Sequence, residues 1–342
     1  MPTVVYVSLQ GDDQIARFTQ DPATGALTLE ERIAVPGGPA PMAADPDRQH
    51  LYVGRRGARI LASYRIERPD GRLTPIGEVA LATDPCWLAM DRTGRFVLST
   101  YYEGAHCAVH RVDGGVAVGP PVEWLATARG AHCMQTDPSN RFAFVPHVAG
   151  RAGTNAIYQF RFDAATGRLR PNDPPQVRPA QPDGPRHFCF HPTLNRVYVS
   201  NEQGCSVTVY AFGPETGSLE PIQTLSTLPP QGFAGENTCS KVQITPNGRF
   251  VYVPNRGHDS IAAFAVDAAS GLLTALGQTP SEKTPRALGI APDGRHLYSA
   301  GHDSGRLASF RIDQATGRLE PLAVCEVGAR PMWVLAVAIP GD

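Results

Sequence analysis

The chain has 342 residues, 34 of them Gly and 32 Pro, with 42% hydrophobic and 18% charged residues. That is enough apolar surface for a large core and too little charge for a solvated, disordered chain. Thirty-one Lys+Arg against 32 Asp+Glu give a formal net charge of -1, which argues against a nucleic-acid or membrane-surface protein.

The amino end, Met1-Pro2-Thr3-Val4-Val5-Tyr6, has no basic start followed by an apolar run, so no signal peptide is expected; no run approaches a membrane span. Short strands are predicted at Val4–Ser8, Gln14–Phe18 and Leu27–Val35, and the turn Asp21–Leu27 introduces a repeated phrase, Asp-x-x-Thr-Gly-x-Leu. It returns at Asp163–Leu169, at Asp267–Leu273 with Ser270 for the threonine, and at Asp313–Leu319, with weaker copies at Asp70, Asp113 and Glu215. The turn glycines Gly25, Gly71, Gly115, Gly167, Gly217, Gly271 and Gly317 are spaced by 46, 44, 52, 50, 54 and 46 residues. Seven units of nearly fifty residues therefore account for the chain.

A second phrase, Pro-Asp-x-Arg followed by a β-rich run, keeps step around Pro46, Pro138, Pro192, Pro246 and Pro292, and degenerately at Asp91–Arg95. Runs such as Leu51-Tyr52-Val53 and Val197-Tyr198-Val199 follow it. Alternating runs come next, as in Ile60–Ile66, Ala156–Phe162 and Leu307–Ile312. These are strands punctuated by Gly, Pro and Asp, and no segment carries a helical stripe. Four antiparallel strands per unit predict an all-β, seven-bladed β-propeller, read as a single domain over 1–342. The last phrase, Pro331–Ala336, has no outer strands after it, whereas the amino end has outer strands with no inner one. One blade is thus expected to combine both termini, which closes the ring and leaves no free edge.

In such a blade the inner strand lines the channel, so the Asp-x-x-Thr-Gly turns fall on the face opposite the channel mouth and are structural. Six positions before each repeat proline stand Ala40, His132, Arg186, Ser240 and Arg286, with Cys86 in the degenerate copy; ten positions after stand Arg56, Glu202, Arg256 and His302, with His147 one short. These are equivalent corners of one rim, and ionisable groups converging there mark a binding site. Structural alternatives accompany each. Arg186, Arg256 or Arg286 could clamp a neighbouring blade, Glu202 could simply pair with one of them, and His132 could be a buried hydrogen-bonded imidazole. His187 and His191 read as packing histidines, and His50, His106, His110 and His296 as surface or loop. Trp87 and Trp333 could wall the channel or belong to the core.

Seven scattered cysteines without a CxxC pair suggest reduced thiols and a cytoplasmic protein. No metal-ligand spacing occurs, and an Arg-rich mouth disfavours a cation, so neither metal nor organic cofactor is expected. Nothing in the sequence specifies an oligomeric state.

The whole chain resembles the seven-bladed propeller lactonases, among them the cycloisomerase-type 6-phosphogluconolactonases and the 3-carboxy-cis,cis-muconate lactonizing enzymes. The specific segments are Gly184–Pro192, Ser200-Asn201-Glu202, Ile244–Arg249 and Pro331–Val334. By motif the resemblance implies a site of His132, Arg186, Glu202 and Arg256 for a small anionic lactone, and the rim register adds Arg286, His147, Arg56, His302 and Ser240 as expected substrate contacts. It implies hydrolysis of a sugar-acid lactone, arginine stabilising the oxyanion and His132 or Glu202 moving the proton. His132 is preferred as proton carrier because an imidazole near pKa 6.5 suits both directions. Carboxymuconate cyclisation and a non-catalytic scaffold are the alternatives. The insertion Val148–Thr154 and the segment Gly235–Lys241 depart from the phosphogluconolactonase pattern and bear on whether a phosphate is bound.

Overall fold

The computed structural model describes residues 1–340. Seven antiparallel sheets follow one another along the chain, each ordered inner to outer as strands A, B, C and D. Blade 1 draws strand A from Pro331–Ala338 and strands B to D from Thr3–Leu9, Gln14–Gln20 and Leu27–Ala34. Blades 2 to 7 span 39–80, 87–126, 135–177, 185–226, 238–280 and 285–326. In blade 3 the outer strand is shared by Val116–Ala117 and Glu123–Ala126. Among the described residues the only helical element is a 3-10 turn, Gly150–Ala152, and no helix is long and apolar enough to cross a membrane.

The repeated phrases explain why the sheets assemble. Each Asp-x-x-Thr-Gly turn joins strands C and D. In blade 1 the Asp21 carboxylate accepts from the amides of Ala23 and Thr24, and Gly25 supplies the positive φ of 74° that closes the turn. The tyrosine of the β-rich phrase then ties blade to blade. Tyr6, Tyr52, Tyr198, Tyr252 and Tyr298 are buried in strand B, and each hydroxyl donates to the carbonyl of a turn glycine in the following blade. Tyr298 of blade 7 donates to Gly25 of blade 1, which closes the ring.

The inner strands share an irregularity that sets up the site. Pairing between strands A and B skips at Pro185/His187, Pro285/Ala287, Pro39/Met42 and, in blade 1, between Pro331 and Trp333. Blade 4 has only the bridge Ala131 to His147 before Gln135–Thr136, and blade 6 breaks between Thr238–Cys239 and Gln243–Ile244. The bulged residues are therefore Ala40, His132, Arg186, Ser240, Arg286 and Met332, at one level of the ring. A bulge sets two residues against one and re-aims side chains, so its successor can turn inward as well.

Two buried histidines correct the sequence expectation. His110 and His296, read there as surface or loop, are 1% and 3% exposed. His296 bonds to Gln20 of the adjoining blade through Nδ1.

Candidate active site

Blade 5 contributes the first half of the mouth. Gly184, at φ +70°, brings the chain so close to the end of strand B that an added Cβ would stand 1.9 Å from Gln203 Oε1. The approach lets the Glu202 amide donate to the Gly184 carbonyl at 2.7 Å, so Glu202 faces the bulged Arg186. Arg186 Nε lies 2.7 Å from Glu202 Oε2. Blade 6 brings the second arginine: Arg256 Nη2 lies 3.2 Å from Glu202 Oε1 and also donates to the Cys239 carbonyl at 2.7 Å. The Cys239 amide in turn donates to the Glu202 carbonyl at 3.0 Å. One carboxylate thus holds two guanidinium groups from neighbouring blades.

His132 stands beside them, its Nδ1 3.2 Å from His187 Nε2, and Arg186 Nη1 lies 3.2 Å from both nitrogens of His187. His187, expected to be a packing residue, is therefore part of the channel constellation. His132 Nε2 has no protein hydrogen-bond partner among the described residues. Tyr102 meets the His132 ring edge-on at 5.8 Å.

Burial, then Arg186 and Arg286, push the His132 pKa well below the ordinary imidazole value; burial and Arg186 do the same to His187. Both rings are neutral at neutral pH, which corrects the premise that His132 titrates near 6.5. Burial alone would raise the Glu202 carboxyl, but Arg186 and Arg256 outweigh it and hold the pKa below the usual value. Burial and Arg256 pull Arg186 down to about 10. Burial and the neighbouring Arg186 and Arg256 pull Arg286 to about 9. Arg286 has no hydrogen bond or ion pair among the described residues. Arg56, by contrast, is paired with Asp84 at 2.6 Å.

Two spaces stack along the axis. The open mouth, ≈ 250 Å³, is lined by Arg56, Cys86, Tyr102, Glu103, His132, Arg151, Glu202, Arg256 and Arg286. Beneath it lies a narrower chamber, ≈ 20 Å³, that shares Arg56, Cys86, His132 and Arg286 and adds Arg186, His187, Lys241 and Trp333. Arg186, 2% exposed, faces the chamber rather than the open mouth.

Three expected substrate contacts lie elsewhere. His147 is fully buried, bonded to the Val145 carbonyl and to Thr127 Oγ1 at 2.9 and 3.0 Å, with its ring tilted against that of Tyr158. Falling one position short of its mark put it on the opposite side of its strand. His302 pairs with Asp303 at 2.6 Å and lines a separate cleft with Gly328 and Arg330. Ser240 has the bulged position but uses its hydroxyl to donate to the Pro285 carbonyl at 2.8 Å, joining blades 6 and 7.

The sequence reading did not single out Tyr102 or Glu103, touched Arg151 and Lys241 only as parts of the segments Val148–Thr154 and Gly235–Lys241, and took His187 for a packing residue. Tyr102 follows Cys86 by the same sixteen residues that separate Arg186 from Glu202, so the register alone marks it. His187 and Lys241 follow the bulged positions 186 and 240, and only the extra residue of the bulge carries them inward. Among the described residues, no group of three or more His, Cys, Asp or Glu side chains could hold a metal ion.

Comparison with known proteins fits this geometry. The family model described as a lactonase, 7-bladed beta-propeller, matches residues 4–336. A 6-phosphogluconolactonase of Pectobacterium carotovorum is 37% identical over 339 residues, covering 99% of this chain and 100% of that protein. One from Serratia proteamaculans is 35% identical over 338 residues, 99% and 100% of the two chains. The structure of a periplasmic gluconolactonase of Pseudomonas aeruginosa superposes with a TM-score of 0.90 at 26% identity, covering 99% of this chain and 100% of the other.

Proposed function

The chain belongs to the seven-bladed β-propeller lactonase family, and on that premise we propose that it hydrolyses the lactone of an anionic sugar acid, of the 6-phosphogluconolactone kind, at the channel mouth. The observation that carries this reading is the Glu202 carboxylate bridging Arg186 and Arg256 beside a neutral His132 whose Nε2 is uncommitted.

Water attacks the lactone carbonyl as His132 Nε2 takes its proton, and charge develops on the carbonyl oxygen. Arg286, free of any protein partner, and Arg256 supply the guanidinium N–H groups for that oxyanion. Arg186 serves differently from the sequence expectation: it is held behind Glu202 and fixes that carboxylate. Collapse of the tetrahedral intermediate breaks the bond from the carbonyl carbon to the ring oxygen, and the imidazolium returns its proton to that oxygen. The product acid then ionises, releasing one proton per turnover. A placed base contributes about 10²–10⁴-fold, and one oxyanion donor about 10²–10³-fold. No step calls for a metal ion.

The insertion 148–154 carries Arg151 to the mouth, and Arg151 has no acidic partner among the described residues. Together with Arg286 it supports an anionic substituent such as a phosphate on the substrate. Seven free cysteines suit a reducing compartment, which favours a cytoplasmic location for this chain. The test is titration of acid released from aldonolactones with and without a phosphate. A saturable rate above spontaneous hydrolysis supports the proposal, and preference for the phosphorylated substrate supports the part assigned to Arg151 and Arg286.

A further inference from the structure

Thirty-one residues are Lys or Arg, yet only Lys241 and Lys283 are lysines. Lys283 is exposed. Lys241 sits where strand A of blade 6 is broken, 7% exposed, and lines the narrower chamber. Its ammonium lies 4.4 Å from the centre of the Trp333 ring, and it has no hydrogen bond or ion pair among the described residues. A ring face attracts a cation but supplies no counter-charge.

The chamber wall is donor-rich. Arg186, Arg286, Lys241 and Arg56 line it and no carboxylate does. The nearby acids are already spent: Asp84 on Arg56, and Glu202 on Arg186 and Arg256 together. Arg286 and Lys241 are left uncompensated. The indole Nε1 of Trp333, also in the wall, is buried without an acceptor. Burial and Arg186 drag the Lys241 amine down to about 7, the response of an ammonium that lacks an anion.

We propose that the chamber beneath the mouth is a binding site for one small monovalent inorganic anion of the halide class, held by the Lys241 ammonium and the Arg286 guanidinium. Size and charge favour the class: with ≈ 20 Å³ open to the centre of a water-sized sphere, the space takes a compact monatomic anion against its cationic wall. The site shares Arg286 with the mouth, but the variant that tests it is at Lys241, which the proposed hydrolysis does not use, and its readouts do not use catalysis, so it stands or falls apart from the lactonase reading.

Bromide is the probe. Crystals grown without halide are soaked in bromide and measured at the bromine absorption edge; in parallel, bromide replaces methanesulfonate at constant ionic strength while Tm is followed. The wild type is expected to show an anomalous peak in the chamber, in contact with Lys241. Its Tm should rise with the logarithm of bromide concentration above the dissociation constant, as linkage requires. Lys241→Met should lose the bromide-dependent rise, and in halide-free buffer should be at least as stable as wild type, because it removes a buried unpaired charge. Lys283→Met should keep the rise. Absence of the peak from the wild-type chamber overturns the proposal, and so does a Lys241→Met protein that keeps the full bromide response.

Discussion

Arg186 Nε meets Glu202 Oε2 at 2.7 Å with the arginine side chain 2% exposed, so among the described residues this carboxylate is the one charge compensating a guanidinium sealed in the channel wall. Glu202→Gln should therefore act twice. Leaving Arg186 buried and unpaired costs about 3 kcal/mol, the low end for a broken buried pair, because Glu202 remains 18% exposed. It should also free Arg256 from its place and lower kcat/KM by about 10²-fold. Urea denaturation and initial rates measure the two effects. The apolar pair Arg186→Met/Glu202→Leu should regain stability relative to Glu202→Gln and remain inactive.

A base that is already neutral does not titrate in the working range. With His132 held well below 6.5 by burial and by Arg186, kcat/KM corrected for spontaneous hydrolysis should be level from pH 6 to 8. His132→Gln should lower it by about 10²–10⁴-fold. An inflection near pH 6.5 that persists in Lys241→Met would contradict the assignment; one that vanishes in that variant belongs to the amine at about 7.

Arg286→Met removes the guanidinium without a protein partner and leaves no acid unpaired. The fold should be unharmed and kcat should fall by about 10²–10³-fold, as for loss of an oxyanion donor. A change confined to KM would make Arg286 a substrate-binding group instead.

His147→Gln separates structure from catalysis. Burial holds His147 at about 4, so between pH 6.5 and about 4 the unfolded chain binds a proton that the fold excludes. The fold keeps this contribution above pH 6.5 and loses it as pH falls, by about 3 kcal/mol at pH 4 from this residue alone. In the variant the acid slope of Tm should flatten by one proton's worth, and kcat/KM at pH 7 should stay near wild type, because His147 lines neither space.

How much of this was legible beforehand follows from what carries the information. The fold is written seven times over: turns such as Asp21–Ala26 and the tyrosine positions 6, 52, 198, 252 and 298 recur in step, so architecture and ring closure were readable from spacing. Arg186, Glu202 and Arg256 were reached by the same register. What spacing cannot convey is how a bulge turns the next side chain, which hid His187 and Lys241. It also cannot show whether a hydroxyl or imidazole at the right corner is already used, as Ser240 is by Pro285 and His147 by Thr127. Burial decides the pKa of His132, and burial depends on neighbours from distant blades.

The most direct test of the account is the initial rate of proton release from 6-phosphoglucono-δ-lactone by wild type and by folded His132→Gln and Glu202→Gln proteins, each above the spontaneous rate. The account predicts saturable hydrolysis by the wild type and a loss of at least about 10²-fold in both variants. Variants that hydrolyse the lactone at the wild-type rate would contradict it, as would a wild type no faster than buffer on any aldonolactone.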